Sequence, residues 1–301
     1  TSVPPPPPQP EPVAPAKNPP MRAPPAPART VATRRGDGES FVGPGVGEMA
    51  ESGEAGAGPM SEPAEILDAI AAKLTGGREG PLNGLRFLVT AGPTHEPIDP
   101  VRYIANRSSG QQGYAIAAAA AGLGADVTLV SGPTNLVAPA GVETMNVESA
   151  SDMLAAVEAA LPADVAIFTA AVADWRVDGS ADQKIKKGRK GTPQLKLVEN
   201  PDILATVSQL PSAERPQLVI GFAAETERVI KHATAKRTRK GCDWIVANDV
   251  SPKTGIMGGD HNEVHVVKAD GSVDDWPRMG KTEVAERLVR AAGEHALAHR
   301  A

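Results

Sequence analysis

From about residue 80 onward the chain alternates two kinds of apolar pattern. Short unbroken apolar runs bounded by Gly, Pro or Asp read as strands covered on both faces, and longer stretches of helical period read as helices. The strands so predicted are "LRFLVTAG" (85–92), "ADVTLVSG" (125–132), "VETMNVES", "DVAIFTAAVAD" (164–174), "PQLVIGFAAE" (216–225) and "DWIVAND" (243–249). Helices are predicted over "GYAIAAAAAGLG", ending at Gly124, and over "SDMLAAVEAAL", with Ser151 as cap and Asp152 at the positive helix end. A third is predicted over "NPDILATVSQL" (200–210), with Pro201 in its first turn, where a missing N–H costs nothing. "RVIKHATAKRTRKG", stopped by Gly241, and the closing "TEVAERLVRAAGEHALA" complete the helices, and "NEVHVVKADGSVDDW" reads as a hairpin turned on Asp270-Gly271. Strands alternating with helices predict an α/β fold: a doubly wound, mostly parallel, Rossmann-like sheet with a C-terminal β-hairpin.

In such sheets ligands sit beyond the carboxyl ends of the strands. The strand-end segments here are "TAGPTHEPID", "VSGPT", "TAAVADW", "GFAAET" and "ANDVS". Their small residues let a ligand approach backbone groups closely. Ahead of the first helix stands "SSGQQG", in which Ser108, Ser109 and Gly110 offer hydroxyls and unsatisfied N–H groups at a positive helix end. It reads equally as a phosphate cradle or as a Gly-rich connection without a ligand. It is not the dinucleotide fingerprint: that motif sits in the tight turn after the first strand and is followed by an acid. Here an 18-residue excursion, "PTHEPIDPVRYIANRSSG", intervenes, and the second strand ends in "SGPT". No Gly-Lys-Ser/Thr follows to make it a Walker loop.

That excursion is longer than most connections without a function. Within it Arg102 can clamp a phosphate or carboxylate, and Asn106 can place a carbonyl or an oxyanion. Asp174, at the end of a buried strand, serves either as a turn cap or as a ligand for a ribose hydroxyl or divalent cation. "KIKKGRK" (184–190) reads as a solvated charge run or as a lid over phosphates. Lys236 and Lys240 share one helical face, for which spacing alone favours a solvated helix. Cys242 has no paired His in its vicinity along the chain and reads as structural.

Composition sets the outer limits. The first thirty residues hold about half of the 29 prolines, and Gly, Glu and Ser continue to about residue 62. Residues 1–62 are therefore predicted to be a disordered Pro/Gly-rich arm, 63–80 a short helix and linker, and 81–301 the folded domain. The chain begins at Thr1 rather than Met, as expected of a piece of a longer product. A net charge of -5 argues against general nucleic-acid binding. No apolar run reaches the roughly 18 residues of a membrane span, and no secretory signal opens the chain. A single cysteine excludes an intrachain disulfide and fits a reducing, cytoplasmic compartment. Taken together, the residues describe a nucleoside triphosphate site with room for an acidic second substrate. A non-catalytic nucleotide-binding module and a nicotinamide-dependent oxidoreductase are the alternatives.

"TAGPTHEPIDPVRYIANRSSGQQGYAIA", "AAVADWR", "KIKK", "NPDIL", "GFAAET" and "ANDVS", in that order between about 84 and 293, closely resemble phosphopantothenate–cysteine ligase of coenzyme A biosynthesis. The resemblance implies CTP-dependent joining of 4′-phosphopantothenate to L-cysteine through an acyl-cytidylate, with release of pyrophosphate and CMP. A divalent cation, normally Mg²⁺, assists, and the sequence assigns it no ligands. The resemblance makes Asn106 the residue acting on the acyl-cytidylate, Lys184 a flap residue of the second half-reaction, and Arg102 a residue concerned with the substrate. It maps CTP contacts onto Phe168, Thr169, Ala170, Asp174 and Lys184. Further CTP contacts fall on Pro201, Asp202, Ile203, Leu204, Phe222, Lys236 and Lys240. It implies a homodimer whose sites are completed across the interface. "GPGVGEMAESGEAGAGPMSEPAEILDAI" (43–70) resembles the tail of the flavin-dependent decarboxylase often fused ahead of this ligase. No Cys precedes Cys242 and the flavin-binding body is absent, so no decarboxylase activity and no FMN are expected. Deleting residues 1–62 is expected to leave turnover nearly unchanged; a loss beyond about tenfold, about 1.4 kcal/mol of barrier, would show that the arm takes part in folding or in the site.

Overall fold

The structure is a computed structural model that describes residues 61, 63–74, 80–186, 194–251 and 260–300. The predicted arm lies outside these, apart from Ser61. The chain divides into two units, Thr1–Ile66 and Leu67–Ala301, and the account below concerns the second. Helix α1 (Pro63–Leu74) runs across their boundary.

The sheet is built as the apolar runs require. Its parallel strands are β1 (Arg86–Ala91), β4 (Asp126–Ser131), β5 (Val142–Asn146), β6 (Val165–Phe168), β9 (Leu218–Glu225) and β10 (Trp244–Asp249). An antiparallel hairpin, β11 (His261–Val267) and β12 (Val273–Gly280), extends one edge, so the order is β12-β11-β10-β9-β6-β1-β4-β5. Its loop carries Gly271 at φ 86, the left-handed conformation for which Asp-Gly was read as the turn. Beside the sheet stand two small hairpins, β2 (His95–Asp99) with β3 (Arg102–Ala105), and β7 (Trp175–Val177) with β8 (Leu197–Glu199).

Neighbouring residues of each central strand are buried on opposite faces. Phe87, Val89, Val165, Ile167, Leu218, Ile220 and Val246 join the core on one side, which includes helices α2 (Gln111–Gly122) and α6 (Lys281–Ala298). Leu88, Ala166, Phe168, Val219, Ile245 and Ala247 join the other, with α3 (Ala150–Ala159), α4 (Ile203–Ser208) and α5 (Val229–Lys240). Each large apolar side chain so buried stabilises by roughly 1.5–3 kcal/mol, which is why these runs could not be alternating strands with a wet face.

Four local expectations are corrected. Helix α3 is capped by Ser149, not Ser151: Ser149 is extended, its Oγ accepts from the Asp152 N–H at 3.2 Å, and the Asp152 carboxylate accepts the Ser149 N–H at 3.0 Å. The Ser149 hydroxyl, which donates to the Asp152 carboxylate at 2.7 Å, and then the Ser149 N–H hold that carboxyl below the usual carboxylate range. Helix α4 starts at Ile203 with Asp202 as cap, so Pro201 lies ahead of the helix rather than in its first turn. The strand expected over 164–174 ends at Phe168, and the chain leaves the sheet toward β7. The excursion after β1 is a hairpin, not a loop. Cys242 is 2 % exposed and burial pushes its thiol up to about 11, in keeping with a structural role.

The chain leaves β1 through a crowded crossing. Gly92 adopts φ 76, and a Cβ on Gly132 would stand 1.7 Å from the Pro93 carbonyl oxygen. No side-chain motion relieves a clash with backbone. Gly132→Ala is expected to destabilise the protein by about 1–3 kcal/mol or more, read as a lowered thermal midpoint, whereas Gly141→Ala, also in a turn but with open space around it, should lose only the cost of its positive φ.

Candidate functional site

Strand order reverses at β1: β4 and β5 lie to one side, β6, β9 and β10 to the other. The chain leaves β1 toward α2 on one face and leaves β6 toward α4 on the other, so a crevice opens at their carboxyl ends. A cavity of about 790 Å³ occupies this place.

Its floor is backbone. Thr90, 1 % exposed at the end of β1, accepts a bond from Thr169 Oγ1 on its carbonyl at 2.6 Å and one from the Ala170 N–H on its hydroxyl at 3.3 Å. These bonds hold the segment that follows β6 open toward the cavity. One wall is the start of α2. Gly110 caps it in the left-handed conformation, φ 75, and its N–H donates to Ser108 Oγ at 3.3 Å. Gly113 lets α2 close on β1, since a Cβ there would meet Ala91 Cβ at 2.6 Å and Thr169 Oγ1 at 2.4 Å. Asn106 is fixed across the opening, its Nδ2 donating to the Val172 carbonyl at 2.9 Å.

The opposite wall is the β8–α4 connection. Asn200 Nδ2 donates to the Ala173 carbonyl at 2.7 Å and its N–H to the Asp174 carbonyl at 2.9 Å, which sets the exposed Asp174 at the rim. The Asp202 carboxylate accepts the Ala205 N–H at 3.1 Å and pairs with Lys240. The start of α4, at "NPDIL", is therefore met by the chain's own carboxylate.

Cations reach the cavity from Arg107, Lys236, Lys240 and Lys281. Lys236 Nζ donates to the Phe222 carbonyl at 2.8 Å. Burial, followed by the neighbouring charge of Lys240, pushes the Lys236 ammonium below the usual lysine range, with Glu225 opposing. Burial also lowers Lys281, whose Nζ donates to Gln111 Oε1 at 3.1 Å. The acids at the cavity are Asp174, Glu199 and Asp202. Among the described residues no three His, Cys, Asp or Glu side chains gather to hold a metal. That donor set suits a Mg²⁺ carried on a substrate's phosphates, which needs only one or two carboxylates.

Of the residues singled out in the sequence, Asn106, Ser108, Ser109, Gly110, Phe168, Thr169, Ala170 and Asp174 line this cavity. So do Pro201, Asp202, Ile203, Leu204, Phe222, Lys236 and Lys240. The two lysines of α5 thus face the cavity, against the solvated helix that spacing favoured. Arg102 and Lys184 lie outside its lining. The Arg102 guanidinium is held by Asp99 and by the Ile185 carbonyl, the latter at 2.9 Å, and Lys184 is exposed. Of "KIKKGRK", residues 187–190 lie outside the described residues. Sequence reasoning missed a polar chain on the far wall: Asn248 Nδ2 to Asn262 Oδ1 at 2.9 Å, Asn262 Nδ2 to Gln112 Oε1 at 3.3 Å, and Gln112 Nε2 to the Lys281 carbonyl at 3.1 Å. The local signals for it were "ANDVS" at a strand end, which holds Asn248, and "SSGQQG", which holds Gln112.

Fold and cavity together define an α/β domain with its cavity at a topological switch point. Residues 82–295 match the model of the DNA/pantothenate metabolism flavoprotein C-terminal domain, and the chain belongs to that family. It is 43% identical over 292 residues to the coenzyme A biosynthesis bifunctional protein CoaBC of Mycobacterium tuberculosis (strain ATCC 25618 / H37Rv), covering 92% of this chain and 69% of that one. A crystal structure of the C-terminal domain of a CoaBC protein superposes with a TM-score of 0.60 at 42% identity, covering 72% of this chain and 97% of that one. A Cab2 variant solved in complex with phosphopantothenate-cysteine shares the fold at 16% identity, with a TM-score of 0.58 over 79% of this chain and 96% of that one. No helix among the described residues is long and apolar enough to cross a membrane.

Burial disfavours the charged form of Lys236 and a bound anion favours it, so anion affinity is expected to depend on pH. As pH rises through the lowered value, the free lysine loses its charge and anion binding weakens. Pyrophosphate affinity, measured by calorimetry, is expected to start falling at a lower pH than an ordinary lysine near about 10.4 would set. Lys236→Arg, which stays protonated, should flatten that dependence.

Proposed function

We propose that this chain is a phosphopantothenate–cysteine ligase, which activates the carboxylate of 4′-phosphopantothenate with CTP and passes the acyl group to L-cysteine. The observation that carries the reading is convergence: Asn106, the Phe168–Asp174 segment, the Pro201–Leu204 segment and two lysines of α5, drawn from distant stretches, line one cavity. Membership of the family found in coenzyme A biosynthesis proteins supports it.

The chemistry requires two anions to meet. Lys236 and Lys240 supply charge on one side, and the N–H groups at the start of α2 supply partial positive charge on the other. In this reading the cavity-lining segment after β6 meets the pyrimidine. One amide hydrogen of Asn106 is used by the Val172 carbonyl, which orients the side chain. The amide has a second hydrogen, and in this proposal it meets the oxyanion of the tetrahedral state. Lys184 approaches the acyl-cytidylate during cysteine transfer. Asp174 would help hold a divalent cation, normally Mg²⁺, whose charge would offset that of the phosphates. A homodimer belongs to the same reading: Val101 and Tyr103 of one small hairpin and Trp175 and Leu197 of the other are exposed apolar side chains that a second copy would cover. So does a reducing, cytoplasmic setting, which suits the buried Cys242 thiol.

The test incubates the protein with phosphopantothenate, cysteine and either CTP or ATP, and follows pyrophosphate and product mass. CTP is expected to be preferred; release of no pyrophosphate from either nucleotide would leave a binding module. Lys184→Gln should form acyl-cytidylate and transfer it slowly. Asn106→Asp should lose about 10²–10³ in rate, as when one oxyanion donor is removed, and should also accumulate the intermediate. Wild-type turnover in Lys184→Gln would reduce its segment to a solvated charge run.

A further inference from the structure

The hairpin that departs from β1 is fastened to the body along its first strand. The Thr94 N–H donates to the Ala171 carbonyl at 3.4 Å, and Thr94 Oγ1 accepts the Ala173 N–H at 3.0 Å. The His95 N–H donates to the Glu148 carbonyl at 2.8 Å. Glu96, 1 % exposed, accepts the Ala150 N–H at the start of α3 at 3.0 Å.

At its tip stands a second buried acid. The Asp99 side chain is 0 % exposed. Its Oδ1 accepts the N–H groups of Val101 and Arg102 at 2.9 and 3.0 Å. Its Oδ2 pairs with the Arg102 guanidinium and also accepts the Ile185 N–H at 3.1 Å. Arg102 in turn donates to the Ile185 carbonyl at 2.9 Å. Both backbone polar groups of Ile185 are thus held by one ion pair, and the Ala181 N–H bonds to the Ile98 carbonyl at 3.0 Å a few residues earlier. The Arg102 hydrogen bond holds the Asp99 carboxyl well below the usual carboxylate range.

Ile185 adjoins Lys184, the residue to which the proposed ligase chemistry assigns cysteine transfer. We propose that Asp99 is a positioning residue for that reaction, acting with Arg102 as a two-pronged clamp on Ile185 that sets where Lys184 stands. This rests on the ligase reading above for its catalytic consequence, but the clamp itself has a readout independent of activity. A charge-assisted hydrogen bond is about twice as strong as a neutral one, and here it is spent on a main-chain segment rather than on a ligand. The hairpin carries that constraint from β1 and α3 out to the lysine. An Arg102 bound in this way positions substrate chemistry through Lys184 instead of touching the substrate from this site.

Asp99→Asn keeps the shape of the side chain but turns one oxygen into a donor facing Arg102 and the Ile185 N–H. Trypsin cleavage after Lys184 and Lys186, and amide exchange at Ile185, are expected to rise by about tenfold or more, the scale of one lost charge-assisted bond, with exchange in β1 and β9 unchanged. Ligase kcat should fall by a similar factor, with a smaller change in KM for CTP. Arg102→Lys keeps a cation beside Asp99 but loses the fork, and should loosen Ile185 in the same direction; it serves if Asp99→Asn does not fold. Unchanged cleavage and exchange in both variants would overturn the clamp. Increased cleavage with unchanged turnover would overturn the positioning role. If the wild-type chain makes no ligase product, the ligase reading fails, while cleavage and exchange still decide whether the clamp exists.

Discussion

The structure depends on one constraint: the central strands must be buried on both faces, yet the carboxyl ends of β1 and β6 must stay open. Covering both faces takes helices on each side, and the chain supplies them by sending α2 to one side after β1 and α4 to the other after β6. The strand order reverses between the two as a consequence. A crevice at that reversal costs no core, because the helices diverge there in any case. The apolar runs of the sequence and the place of the cavity are thus two results of one packing requirement.

The crevice is furnished mostly from backbone and amide side chains, and its lysines are half-buried. Thr90 and Asn200 each bond to main chain of the segment after β6, so the walls are held before any ligand arrives. Lys236 and Lys281 are both pushed down by burial, a cost that an anionic ligand offsets on binding. Lys240 is already paired with Asp202, which also caps α4, so one carboxylate orders both the helix start and the cation beside it. The arrangement is preorganised for anions, as the proposed acyl-nucleotide chemistry would require.

The two small hairpins extend this order beyond the sheet. Each has only two strands, too few to be stable alone. The β2–β3 hairpin persists because Thr94, His95 and Glu96 bond to the body, and β7–β8 because Asn200 and Arg176 tie its strands to each other and to the strand-end segment.

Much of the fold was legible in the sequence. The parallel strands, the C-terminal hairpin and the stop of α5 at Gly241 follow from period and turn chemistry, which are local. The Ser149 cap was misplaced by two residues because Ser149 and Ser151 are both plausible caps. Asp152 decides between them, since its carboxylate reaches back to the Ser149 N–H. The hairpin after β1 was unreadable as strands, since Pro97 and Pro100 break the run and its bonds go to partners far along the chain. Most of the candidate site was named because glycines, strand ends and a family resemblance marked it. Gln112, Asn262 and Lys281 were not: the bonds joining them span 150 and 169 residues. The sequence by itself determined which segments are strand or helix and which ends are polar, because those depend on near neighbours. Only the tertiary structure decided that Lys236 faces a cavity while Arg102, with Asp99 beside it, turns to Ile185, because each outcome depends on which carbonyl, 14 or 83 residues away, the folded chain brings within reach.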